Sequence, residues 1–125
     1  MLAAARLQAM TATAAPDAAR AFYRDILGLP LLSEDMFALI FEVGGAPLRV
    51  AKTPGVAPSP YAVLGFTVDA IEPVARGLAA KGVTFERYAF LQHDAHGIWT
   101  APDGARVAWF RDPDGNLLSL AQEAP

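Results

Sequence analysis

Two stretches of this chain hold residue types that can do chemistry. In QHDAHGIW, residues 92–99, His93 and His96 stand three apart beside Asp94. Imidazole nitrogens with a carboxylate are metal ligands or acid–base groups. In FRDPDGNLLSL, residues 110–120, Asp112, Asp114 and Asn116 offer side-chain oxygens at every second position, as a calcium loop begins. The calcium reading fails, because Leu117 occupies the place where that loop needs glycine. Pro113-Asp114-Gly115, like Pro102-Asp103-Gly104, is turn chemistry, and Asp112 and Asn116 flank it. The alternation that follows sends Leu118 and Leu120 to a buried face and Ser119 to the other. The histidine pair reads as a polar loop, since an HxxH without a helical or strand frame is weak ligand spacing. Its chemical alternative is a displaced metal site, or an acid–base group lying over a cavity.

Composition removes whole classes of function. With no cysteine, disulfide frameworks, thiolate metal sites and thiol nucleophiles are excluded. A net charge of −3 gives no electrostatic footprint for nucleic acid. Hydrophobic residues reach 54%, yet no apolar run is long enough for a membrane span. The Ala-rich start, MLAAARLQAMTATAA, reads as a strand approach rather than a targeting segment, which points to the cytoplasm. No nucleophile elbow and no phosphate-binding glycine loop is present. Glu34-Asp35 falls between strands and reads as a turn, and singly placed cations such as Arg20, Arg24 and Lys52 read as solvated surface. Arg49 stands apart: its fork of donors suits a carboxylate or phosphate, unless Glu42, Glu123 or a second copy pairs it. Trp99, Trp109, Tyr88, Phe90 and Phe110 make the C-terminal half rich in rings that can line a planar ligand's pocket or pack a core.

The elements that must position these residues follow from periodicity. Leu7–Thr13 reads as strand; Pro16 and Asp17 open a helix whose stripe is Ala19, Phe22, Tyr23, Ile26 and Leu27; Gly28 closes it. Leu29–Ser33, Met36–Val43 and Pro47–Lys52 read as strands, with Gly44-Gly45 turning the last two. The proline-rich TPGVAPSP, residues 53–60, is a linker, and the pattern then starts again. Tyr61–Val68 is a strand, and Asp69 with Glu72 forms a capping box before a helix carrying Ile71, Val74, Leu78 and Ala79. Gly82 closes that helix, and Val83–Arg87, Ala105–Arg111 and Asn116–Gln122 are strands. Laying Gly28 on Gly82 predicts helix over helix and strand over strand at one offset of 82 − 28 = 54 residues. Each half is then a βαβββ module with exposed edges, so two must pair.

FYRDILGL at a helix end, the repeated βαβββ order and FRDPDGNLLSL near the C-terminus together resemble the vicinal oxygen chelate superfamily, which includes glyoxalase I, extradiol dioxygenases and bleomycin-resistance proteins. The resemblance spans nearly the whole chain. It implies an α+β fold in which two βαβββ modules form a cupped mixed β-sheet with helices on the outer face. Module one is 5–53, the linker 54–60 and module two 61–123. It also implies a homodimer, and in the enzymes a divalent metal that two substrate oxygens chelate. The ligand positions of those enzymes fall here on Gln8, Arg49, Val63 and Ser119. Of these only Gln8 is an accepted ligand type, and Arg49 would place a fixed positive charge beside the ion. Met10 and Gly65 share parity with Gln8 and Val63 and face the same cavity. The expectation is a small-molecule-binding protein with no metal cofactor and an anionic ligand. Its cavity is lined by Gln8, Arg49, Val63, Trp109 and Ser119 and covered by the loop carrying His93, His96 and Trp99. The rival is a glyoxalase- or dioxygenase-like metalloenzyme using a divalent ion displaced to His93 and His96. No catalytic residue is assigned.

Overall fold

The computed structural model describes residues 1–125. The chain divides into two compact units, Met1–Val56 and Ala57–Pro125. Each runs strand, helix and three strands, and each holds one four-stranded mixed sheet.

In the first unit the sheet order is β1 (Ala9–Thr13), β4 (Ala46–Lys52), β3 (Ala38–Val43), β2 (Leu31–Glu34). β1 runs parallel to β4, and the other two pairings are antiparallel. The β1 ladder opens at Ala9↔Leu48, so the strand starts later than its hydrophobic pattern suggests and Gln8 lies outside it. Alternation buries one face: Leu39, Phe41, Leu48 and Val50 are fully enclosed. Helix α1 (Pro16–Arg20) starts with proline in its first turn and Asp17 at the positive end of its dipole. From Ala21 to Ile26 it widens to π geometry, with the Leu27 N–H donating to the Phe22 carbonyl at 2.9 Å. The predicted stripe faces inward: Ala19, Phe22 and Tyr23 are buried, and the Tyr23 ring lies 5.5 Å from Phe41. Gly44 and Gly45 take φ of +55° and +86°, which a two-residue hairpin turn between Val43 and Ala46 requires at both positions.

Arg20 and Lys52 are not isolated surface charges. Arg20 grips Glu34 with Nε at 2.8 Å and Nη2 at 2.7 Å, Lys52 reaches Glu34 at 2.8 Å, and Asp17 joins through Arg20 at 3.0 Å. Residues far apart in sequence converge because α1 lies over the β2–β3–β4 side of the sheet. Asp35 forms the expected turn, its carboxylate accepting from the Phe37 and Ala38 N–H groups.

The second unit repeats the order: β5 (Leu64–Thr67), β8 (Leu117–Gln122), β7 (Arg106–Arg111), β6 (Trp99–Thr100), with β5 parallel to β8. Leu118, Leu120, Ala108 and Phe110 form its buried face, and helix α2 (Ile71–Ala80) adds Ile71 and Ala75. Three expectations need correction. No capping box forms: Ala70 is the N-cap, and the Ile71 N–H donates instead to Oε1 of Gln122, at the far end of β8, at 3.0 Å. Val83–Arg87 is not a strand, because β6 takes that edge of β7 through Trp99↔Val107 and Thr100↔Arg106. The segment's backbone bond to β7 is from the Glu86 N–H to the Trp109 carbonyl, 2.8 Å away. Finally, the single offset fails beyond the helix. Leu48 pairs with Ala9 as Leu118 pairs with Leu64, an offset of 118 − 48 = 70 residues. Most of the difference, 70 − 54 = 16 residues, lies in the loop between α2 and β6, residues 81–98, whose counterpart in the first unit is only 27–30.

The acidic hairpin is as its turn chemistry predicts. Asp112 and Asn116 are buried, and the Asp112 carboxylate accepts from the N–H groups of Asp114 and Asn116 and from the Asn116 amide at 2.8–3.0 Å. Those carboxylate oxygens are spent on the turn's own donors.

Candidate functional site

Opposite each buried sheet face lies a face that no helix of its own unit covers. In the first unit Met10, Arg49 and Ile40 stand side by side across it. Leu48 and Val50, flanking Arg49 in β4, point into the core, which directs the guanidinium out of the other face. Arg49 is half-buried, and no carboxylate of the first unit pairs with it, Glu42 included. Its charge contributes to holding the Asp35 carboxyl below the usual range, after the larger effect of the Phe37 and Ala38 N–H groups. Gln8 sits exposed just before β1, and Met10 is 55% exposed.

The equivalent row in the second unit is Gly65, Ser119 and Trp109. Ser119 is half-exposed, while Leu118 and Leu120 beside it are buried, as alternation predicts. Gly65 has a steric purpose: a Cβ there would lie 2.9 Å from the Ser119 Oγ. Its absence leaves the hydroxyl in the open. Val63 is held just ahead of β5 by its N–H on the Leu117 carbonyl, at 2.9 Å, and is 39% exposed. It brings no donor atom.

Around Trp109 the rings gather. Trp99 lies 6.1 Å away, Tyr88 5.5 Å in an edge-to-face contact, and His93 6.3 Å. Phe90 stacks on Tyr88 at 5.7 Å and is 82% exposed. Partial burial, then the Glu86 charge, pushes the Tyr88 phenol up. Open concavities of about 670 and 540 Å³ lie along this loop, the second lined by residues 90–94 and 98–100. Tyr88 was visible in the sequence only as one more aromatic; its place beside Trp109 depends on the loop's path.

The two histidines part company. His93 Nδ1 lies 2.8 Å from the Gly97 carbonyl, and its Nε2 accepts from the Tyr88 N–H at 3.0 Å. A carbonyl only accepts and an N–H only donates, so the ring is the Nδ1–H tautomer with both nitrogens engaged. His96 turns to α2, its Nε2 3.5 Å from Glu72. Asp94 between them uses Oδ1 on the His96 and Ile98 N–H groups at 2.8 and 3.0 Å. Burial raises its carboxyl, but those N–H groups and the charges of His96 and Arg106 outweigh that, leaving it below the usual value.

The donor set does not fit the divalent ion that the resemblance implies. Among the four expected positions only Gln8 is an accepted ligand type, Arg49 opposes a cation, and Val63 has nothing to give. The displaced alternative fares no better: His93 would have to abandon a backbone partner to bind an ion, and no group of three or more His, Asp or Glu residues converges anywhere.

A parallel first-to-last strand pairing and two antiparallel ones, built twice with a helix behind each sheet, define the paired βαβββ class. The chain belongs to the Glyoxalase/Bleomycin resistance protein/Dioxygenase superfamily, whose model matches residues 7–120. Solved structures share the fold. A lactoylglutathione lyase from Agrobacterium tumefaciens matches at TM-score 0.75 and 19% identity over 95% of this chain and 93% of its own. A glyoxalase family protein from Enterococcus faecalis matches at 0.73 and 24%, over 97% and 99%. A bleomycin-binding protein complexed with bleomycin matches at 0.74 and 23%, over 94% and 98%. No curated relative matches the sequence. No helix is long and apolar enough to cross a membrane.

Proposed function

We propose that this chain is a small-molecule-binding member of the superfamily that works without a resident metal ion and holds an anionic ligand. Arg49 carries the reading. A half-buried guanidinium on an uncovered sheet face, with no carboxylate partner in its own unit, is a ready site for a carboxylate or sulfonate. In the second unit, separately, the rings around Trp109 form a surface on which a flat ligand can stack, and the Ser119 hydroxyl lies open beside them. A structural neighbour complexed with bleomycin supports binding as a use of this fold.

Calorimetric titration with 2-naphthoate, planar and anionic, tests the reading. Arg49→Ala is expected to weaken it by about 1.5–3 kcal/mol, the range for a lost charged hydrogen bond. Uncharged 2-naphthamide should bind wild type and variant alike. Equal naphthoate affinity in both proteins refutes the anchor. Stoichiometric zinc, nickel, manganese or iron that disappears when His93 and His96 are both changed to alanine refutes the metal-free reading.

A further inference from the structure

The loop between α2 and β6 is held mainly through backbone atoms. Arg87 Nη2 donates to the carbonyls of Asp94 and Ala95 at 2.9 and 3.3 Å, and the Asp94 N–H donates to the Ile98 carbonyl at 2.9 Å. Gly97 takes φ of +86° where a Cβ would lie 2.7 Å from that of Phe85. One side-chain ring joins the two ends of this loop: His93, with Gly97 on one nitrogen and Tyr88 on the other. The Tyr88 bond is available only to the neutral ring. Protonation places a hydrogen on Nε2 against the Tyr88 N–H, leaving donor facing donor. The Gly97 bond survives and gains charge assistance. Protonation therefore frees the Tyr88 end, and Tyr88 is the residue that packs edge-on against Trp109.

We propose that His93 is a positioning residue whose neutral ring pins Tyr88 against Trp109, so that protonation of the ring unpins the loop and releases the ligand held there. This rests on the binding reading above. The charged and titratable groups around the ring do not bond to it. Asp94 is committed to backbone N–H groups and to Arg106 at 3.5 Å, Arg87 to carbonyls, and Glu86 to Arg111 at 2.6 Å. The neighbouring phenol is that of Tyr88, and β6 contributes only Trp99 and Thr100. His96 has the opposite sense, since protonation strengthens its approach to Glu72. The two histidines are thus separable by variant.

Nitrogen chemical shifts of the imidazoles at about pH 7.5 come first, well above the ordinary imidazole range. A bare Nε2 and a protonated Nδ1 on His93 are expected; an averaged tautomer mixture overturns the latch. Next, hydrogen exchange of the Tyr88 amide should accelerate about tenfold or more as those shifts report the His93 ring becoming charged, beyond the intrinsic pH effect read from an unprotected amide. Binding of uncharged 2-naphthamide, which reads the ring surface of the second unit alone, should weaken about as much over the same change, with far-ultraviolet dichroism unchanged. His93→Gln, which keeps an acceptor and cannot charge, should abolish both responses; His96→Gln should keep them. Responses that persist in His93→Gln, or that are absent in the wild type, overturn the proposal. If 2-naphthamide binds in neither state of the ring while the Tyr88 amide responds, the latch stands and the ligand reading falls.

Discussion

Gln122→Ala removes a contact that spans 51 residues of sequence and holds one end of a helix. The first turn of α2 has little else. Ala70 supplies no side-chain cap, and Pro73 has no N–H, so the Ile71 bond to Gln122 is the one side-chain cap at that end. Losing an N-terminal cap costs about 1 kcal/mol, within a range of about 0.5–2. Urea unfolding followed by dichroism should show that loss as a lower midpoint with an unchanged slope. Gln122→Glu keeps the acceptor and adds negative charge at the positive end of the dipole, so it should match or exceed wild type by about 0.3–1 kcal/mol at neutral pH. Ala70→Asp should offset the Gln122→Ala loss through a different donor, the Glu72 N–H, since Pro73 at the third position has none. A Gln122→Ala midpoint equal to wild type refutes the Gln122 cap.

Asp112→Ala should cost about 2–4 kcal/mol by urea unfolding, because it strands the Asp114 and Asn116 N–H groups and a buried amide. Phe41→Ala, removing a fully enclosed ring against Tyr23, should cost about 3–5 kcal/mol on the same measurement. Hydrogen bonds from Arg20 and Lys52 lower the Glu34 carboxyl from 4.5 to about 2. A depressed carboxyl stabilises the fold above its unfolded value and loses that effect as pH falls toward the folded one. Glu34→Gln should therefore flatten the pH dependence of the urea midpoint between those two values, and high salt should flatten it in the wild type.

The parts of the fold written locally were legible. Pro16 with Asp17, the Ala19–Phe22–Tyr23 stripe, Gly44-Gly45 and the Leu118–Ser119–Leu120 alternation each depend on neighbours in sequence, and each reads through to the structure. What failed depended on distant partners. Nothing around Asp69 says that Gln122 will arrive at the Ile71 N–H first. Nothing in Val83–Arg87 says that Trp99 and Thr100 will take its place on β7. The cations that pattern alone leaves solvated, Arg20 and Lys52, meet on Glu34 only after the sheet assembles. At the site, residue types were readable and their commitments were not. His93 looked like a free ligand or a loop residue, whereas its two nitrogens hold the loop together.

That loop divides its labour. Arg87, His93, Asp94 and Gly97 fasten it through main-chain partners, which any side chain elsewhere in the loop would supply equally well. The side chains of Ala89, Phe90, Leu91 and Gln92 at its tip make no hydrogen bond to the frame. Phe90 still stacks on Tyr88, so Ala89, Leu91 and Gln92 are the tip residues that can vary without disturbing the frame. On the binding reading proposed above, substitutions there would change the lining of the loop's concavities while the two sheets keep their stability, making them the natural place for libraries that seek new ligands.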